Sequence, residues 1–327
     1  MDEKLKPRGV SIVGSMTPKQ FFATYGSLIG LIALFFVISI IKPNFLDIGN
    51  LINILRIASI NGLLAVGMTF VILTGGIDLS VGAIMGCAGM YSAYFAQQSM
   101  GQPAIVAVLI GVVVGLALGL FNGVIIAYLK VPPFVGTLGS LGIAKGIMFL
   151  LSNAKPIPSL TPEFKFIGGG SIFGGNLPVP IVIMIIVLAI CFLLVYKMRY
   201  GRYVYAVGGN MNAAKISGIN TKAIICSVYV ISGVLAALAG VITSARVTSG
   251  VTSTGDGYEV NAIAMVVIGG TSLMGGRGRL WGTVVGILLL TVLTSGLDFL
   301  GVNTYYQLII KGFVVIGAVM LDGLNQD

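Results

Sequence analysis

An acidic residue inside a long uncharged stretch is the first candidate for chemistry. Asp78 is the sole charge between Arg56 and Lys130, in residues 74–82, TGGIDLSVG. Glycines here permit a helix break, and backbone freed in a bilayer must face protein or a water-filled cavity. Asp78 and Ser80 suit the cap of a helix starting near Leu79; lining a solute path is the other role open to Asp78. Lys145 lies about ten residues, ~15 Å, into an apolar run. Charge at that depth is expensive and usually faces a bundle interior, so pathway lining or an internal ion pair stands beside a lysine that snorkels to the interface. The pairs Gly75-Gly76, Gly269-Gly270 and Gly275-Gly276 mark further breaks. Nothing here makes an enzyme: there is no histidine, no paired-carboxylate site and no metal-ligand spacing among Cys87, Cys191 and Cys226, which all lie in apolar runs.

The elements that must position these residues are membrane helices. Hydrophobic residues make up 57% of 327 positions and charged ones 9%, with 47 glycines. A soluble domain carries about 25% charged residues, so lipid is the expected solvent, and the glycines suit helices packed through small residues. Ten apolar runs can be drawn, near 21–41, 57–77, 79–97, 104–129, 135–151, 177–196, 223–245, 260–273, 280–297 and 305–321. The first is too long for a signal-peptide core of about 7–15 residues and reads as an uncleaved span. With the N-terminus inside, the basic residues divide twelve inside to five outside, which puts both termini in the cytoplasm. The net charge of +9 is thus a topology signal rather than a nucleic-acid face. Residues 1–20 are a cytoplasmic segment, 21–321 the transmembrane domain and 322–327 a cytoplasmic tail. The 153–178 loop, broken by Pro156, Pro158, Pro162 and Gly168 to Gly170, lies outside and holds no long helix.

Residues 49–61 (GNLINILRIASIN) echo 209–220 (GNMNAAKISGIN), with a one-residue slip. This sets spans one to five against spans six to ten in opposite orientation, as in transporters built from inverted repeats. The fold class expected is therefore an all-α polytopic membrane protein of about ten transmembrane helices in two inverted five-helix halves. Within the cytoplasmic 197–222 loop, residues 208–218 (GGNMNAAKISG) signal a short helix, capped by Asn210 or Asn212 and stopped at Gly218. By exposing Ala213, Ala214 and Ile216 it would offer a soluble partner a docking element.

The run GMTFVILTGGIDLSVG at 67–82 resembles the signature of the ribose-type sugar permeases of ABC importers. So do AVGGN at 206–210 with Ala213, Ala214, Gly218 and Ile219, and AIA at 262–264 with IGGTS at 268–272, Gly275, Gly276 and Gly278. The likeness is nearly collinear from 45 to 321. Branched-chain amino-acid permeases share the superfamily. The resemblance implies a subunit of a bacterial plasma-membrane importer that does no chemistry itself. A second permease subunit, expected to be an identical copy, completes the pore. A cytoplasmic ATPase docks on Gly208, Gly209, Asn210, Asn212, Ala213, Ala214, Lys215, Ile216 and Gly218. An extracytoplasmic binding protein delivers the sugar, facing Arg246, Asp256 and Glu259. ATP and Mg belong to the ATPase, and this chain has no G-x-x-x-x-G-K-[ST] loop and no cofactor of its own. A secondary transporter, the competing class, needs ion or proton sites at mid-membrane, for which Asp78 is the acidic candidate.

Overall fold

The computed structural model describes residues 18–175 and 177–324, so most of the N-terminal segment and the last residues of the tail lie outside the described residues. The chain begins with α1 (Pro18–Ile41) and α2 (Ile48–Leu73), then α3 (Val81–Phe95), α4 (Ala104–Ala127) and α5 (Pro133–Ser152). The short α6 (Pro162–Gly169) and a hairpin of β1 (Ser171–Ile172) and β2 (Leu177–Pro178) lead to α7 (Val179–Phe192), which continues in a π turn, Leu193–Lys197. Then come α8 (Arg199–Gly209), α9 (Met211–Ile216), α10 (Thr221–Val247), α11 (Tyr258–Ile268), α12 (Leu280–Phe299) and α13 (Thr304–Leu324). Among the described residues six helices are long and apolar enough to cross a bilayer, and Tyr25–Ile41, Val81–Phe95, Tyr258–Ile268 and Thr304–Gly317 are shorter apolar helices. The chain is a multi-pass membrane protein.

Helix boundaries correct three expectations. The second span was set at 57–77, behind Arg56, but α2 starts at Ile48. The helix carries Arg56 because its guanidinium reaches the hairpin, Nη2 donating to Ser171 Oγ at 3.5 Å. It ends at Leu73 because Gly75 takes φ +79°, a conformation costly for other residues. The eighth span, set at 260–273, stops at Ile268 before Gly269 and Gly270. The 197–222 loop is mostly helical, its α8 being amphipathic, with Val204 and Val207 buried and Arg202 and Tyr203 exposed.

α10 is the axis of the packing and α4 lies along it. Gly111, Gly115, Gly119 and Gly123 recur every fourth residue, so they line one face of α4. A side-chain carbon at Gly119 would come within 2.6 Å of the Tyr229 carbonyl oxygen, and one at Gly123 within 2.7 Å of that of Cys226. The two backbones touch as small-residue faces allow in lipid, and Leu109, Val113, Leu116 and Leu120 on α4 are exposed. The arrangement is paired: α10 packs on α3 and α4, α2 packs on α11 and α12, and α2 and α10 pack on each other. Likewise α3 meets α4 and α5, as α11 meets α12 and α13. The sequence echo does not coincide with this pairing residue by residue, since 49–61 is continuous helix inside α2 whereas 209–220 contains the caps of α9 and α10.

Candidate functional site

The break between α2 and α3 is held by Asp78. Its Oδ1 accepts from the Ser80 N–H at 3.0 Å and the Ser80 hydroxyl at 2.6 Å, and its Oδ2 accepts from the Ser232 hydroxyl of α10 at 2.9 Å. Asn122 of α4 donates to Ser80 Oγ at 2.8 Å, and the Leu79 N–H donates to Thr137 Oγ1 of α5 at 3.1 Å. Tyr229 donates its hydroxyl to the Ile77 carbonyl at 3.3 Å. The expected cap is therefore corrected. α3 begins at Val81, and Ser80, at the N-cap position, makes no side-chain cap bond. Asp78 instead ties the segment to α10 through Ser232, while Ser80 and Leu79 tie it to α4 and α5; at 0% exposure the carboxyl group opens onto no cavity. Buried polar groups must be hydrogen-bonded, and the extended peptide here obtains its partners from those helices.

A second non-helical segment, built of consecutive turns, descends to the same place from the opposite end of the bundle. Gly250 pairs with Ile157 in the loop after α5 and packs on Ala93 near the end of α3. By Thr254 the chain has reached Gly86, and at Gly255 it lies on Gly82 in the first turn of α3. From position 93 to 82 is eleven residues, ~16 Å along a helix. The space a side chain at Gly82 would need is filled by the Gly255 carbonyl and the Glu259 carboxylate. At the foot of this descent Asp256 Oδ1 meets Lys145 Nζ at 2.7 Å. Lys145 thus has an ion-pair partner, but the pair is partly exposed rather than internal. Asp256 and Glu259 thus lie by the first turn of α3 rather than beside Arg246. Arg246 lies in the last turn of α10, its Nη2 donating to Asn53 Oδ1 at 3.0 Å.

The far end of the bundle is a junction of three glycine-bearing turns. The Gly276 N–H donates to the Leu73 carbonyl at 2.9 Å. A side chain at Gly208 would strike that same carbonyl, and one at Gly276 would come within 2.6 Å of Gly209. The end of α2 with Gly75 and Gly76, the end of α8, and the turn between α11 and α12 thus meet backbone to backbone. Gly269 packs on Gly282, and Gly270 and Gly275 supply turns at φ +81° and +82°. Tyr205 of α8 bonds the Gly278 carbonyl at 2.9 Å, and burial pushes its hydroxyl pKa up to about 12, so it stays a donor.

On this junction sits α9. Asn210 caps it, Oδ1 accepting from the Ala213 N–H at 2.9 Å, and Gly218 ends it at φ +82°. One expectation is corrected: Ala214 is turned inward, 4% exposed, because it packs toward the core as the inner face of a single helical turn. Met211, Asn212, Ala213, Lys215 and Ile216 form the open face, Ile216 at 88%. Beside it opens a cavity of about 700 Å³ rimmed by Lys130, Lys215 and Lys222.

Sequence reasoning missed the residues on other helices that hold the Asp78 segment. Asn122 and Thr137 carry the signal that could have found them, since each is a polar residue inside an apolar run and such residues bond across helices. Ser232 carries none, as serine also fits a small-residue face. Among the described residues, no group of three or more His, Cys, Asp or Glu side chains could hold a metal ion.

Comparison with known proteins sets the chain beside permeases. The chain is 44% identical over 298 residues to the ribose import permease protein of Bacillus subtilis, covering 91% of this chain and 92% of that one. It is 43% identical to the ribose import permease protein of Escherichia coli K12, over 94% and 96% of the two chains. It is 39% identical to the D-allose transport system permease protein of the same strain, over 93% of each. No solved structure matches. The family model for the permease component of the branched-chain amino acid transport system matches residues 50–319, and the chain belongs to that permease family.

Proposed function

We propose that this chain is the membrane-spanning subunit of an ATP-driven importer for a monosaccharide such as ribose, in the bacterial plasma membrane. The observation that carries this reading is near full-length identity with permeases named for ribose and allose, joined by one named for galactose and methyl galactoside import in Salmonella typhimurium. The alternating packing of α1–α5 and α7, α10–α13 supports ten spans in two inverted halves. The positive-inside count then puts α8, α9 and both termini in the cytoplasm. Two copies of the chain form the pore. A separate ATPase seats on the open face of α9 and drives the glycine junction beneath it. A binding protein docks at the opposite end, where Arg246 lies.

Vesicles containing the chain, its ATPase and an enclosed energy supply should take up ribose only when the binding protein and ATP are both present. Robust uptake by the chain alone, driven by an ion gradient, would sink the importer reading in favour of a secondary transporter. The family description keeps branched-chain amino acids as the second solute class. Leucine uptake in place of ribose in the same vesicles would select it.

A further inference from the structure

Lys145 and Asp256 form an ion pair that is not sealed in protein: Lys145 stands inside α5, and Asp256 lies in the turn just before α11. Lys145 lies twelve residues (145 − 133) into the 20-residue α5, past its midpoint. Its side chain is 35% exposed and that of Asp256 52%. Ionised groups at this depth cannot face hydrocarbon without large cost and mark solute or ion pathways. The surface around the pair has been kept open. Gly139, Gly142 and Gly146 of α5 and Gly257 beside Asp256 have nothing within 4 Å of where a side chain would begin. The run of turns that brings Asp256 to Lys145 is itself non-helical backbone beside α3, and such backbone at membrane depth is tolerated where it is buried in protein or lines a cavity.

We propose that Lys145 and Asp256 are a solute-contact point midway along the path, taking a neutral polyhydroxylated ligand, and that they close on each other when the path is empty. The ammonium donates to a sugar hydroxyl, and the carboxylate accepts from its neighbour. Glu259, whose carboxylate packs on Gly82 just after the same turn, adds a second negative charge nearby, so an anionic solute is disfavoured. This rests on the sugar-importer reading.

The test uses the complete importer in vesicles, with ribose uptake and binding-protein-stimulated ATP hydrolysis measured together. The double variant Lys145→Met with Asp256→Asn removes both charges at similar size. It should assemble and hydrolyse ATP within about twofold of the parent while ribose uptake falls tenfold or more and the KM for uptake rises. Lys145→Arg, which keeps the charge and the donor, should retain most uptake. Uptake at the parental rate by the double variant overturns the proposal, as does a parallel fall of uptake and hydrolysis, which a purely structural pair would give. A parent complex that hydrolyses ATP but moves leucine and no sugar overturns the sugar reading and this proposal with it. If the double variant does not assemble, Asp256→Cys in a Cys226→Ser background decides, since Cys87 and Cys191 are buried. A water-soluble thiosulfonate should label it, and ribose should slow the labelling; no labelling overturns the proposal.

Discussion

Asp78 and the Lys145–Asp256 pair lie close to the start of α3, yet the bundle treats them differently. Asp78 receives three hydrogen bonds from two serines and has no exposed surface. The pair is bound once, to itself, and about half open. Both sit at a chain break, one rising from the end of α2 and the other descending from the end of α10. The first break is stapled to α4, α5 and α10; the second leaves its charges toward open space. The contrast separates two uses of ionisable groups in lipid. A fully satisfied carboxylate substitutes for missing backbone partners, whereas an open pair can exchange its partner for a solute. It also weakens the secondary-transporter alternative, whose acidic candidate Asp78 is sealed and engaged.

The contrast breaks if stability does not follow it. Asp78→Ala strands the Ser80 N–H, the Ser80 hydroxyl and the Ser232 hydroxyl together, at about 1–3 kcal/mol for each unsatisfied group. This should be the most destabilising change, seen as loss of the monodisperse protein at much lower temperature in detergent. Gly255→Val should come next, because any side chain there meets the Gly82 carbonyl and strains φ +92°; overpacking costs about 1–3 kcal/mol. It should also part Asp256 from Lys145, which a Lys145→Cys, Asp256→Cys cross-link in that background would report as lost. Asn210→Ala removes one cap, worth about 1 kcal/mol, felt locally in α9 and read as weaker co-purification of the ATPase with unchanged thermal stability of the membrane bundle. Lys145→Ala should have the smallest effect on stability, under about 1 kcal/mol for a half-exposed pair. A drop comparable to that of Asp78→Ala would remove the distinction between the two sites.

The glycines were the most informative letters at the sequence level. Gly75, Gly208, Gly209, Gly275 and Gly276 were marked as breaks or loop residues in three separate segments, and the fold brings all of them to one junction. What could not be read was that they meet, because each turn is local and their contact is made through backbone atoms that leave no side-chain pattern. Ala214 was misplaced for a related reason. In a helix of six residues there is too little periodicity to tell the buried face from the open one.

The spans themselves were legible because lipid makes them a local matter. A membrane helix satisfies its backbone within the segment, so its length and apolarity are written in consecutive residues, as are the glycines that interrupt it. Which polar group faces which was decided only by tertiary structure. Asp78 meets Ser232 across 154 positions, and Lys145 meets Asp256 across 111 (256 − 145). Neither pairing has a period or a spacing. Each exists because packing through glycine faces lets α3, α5 and α10 come close enough for one carboxylate to be sealed and another left open.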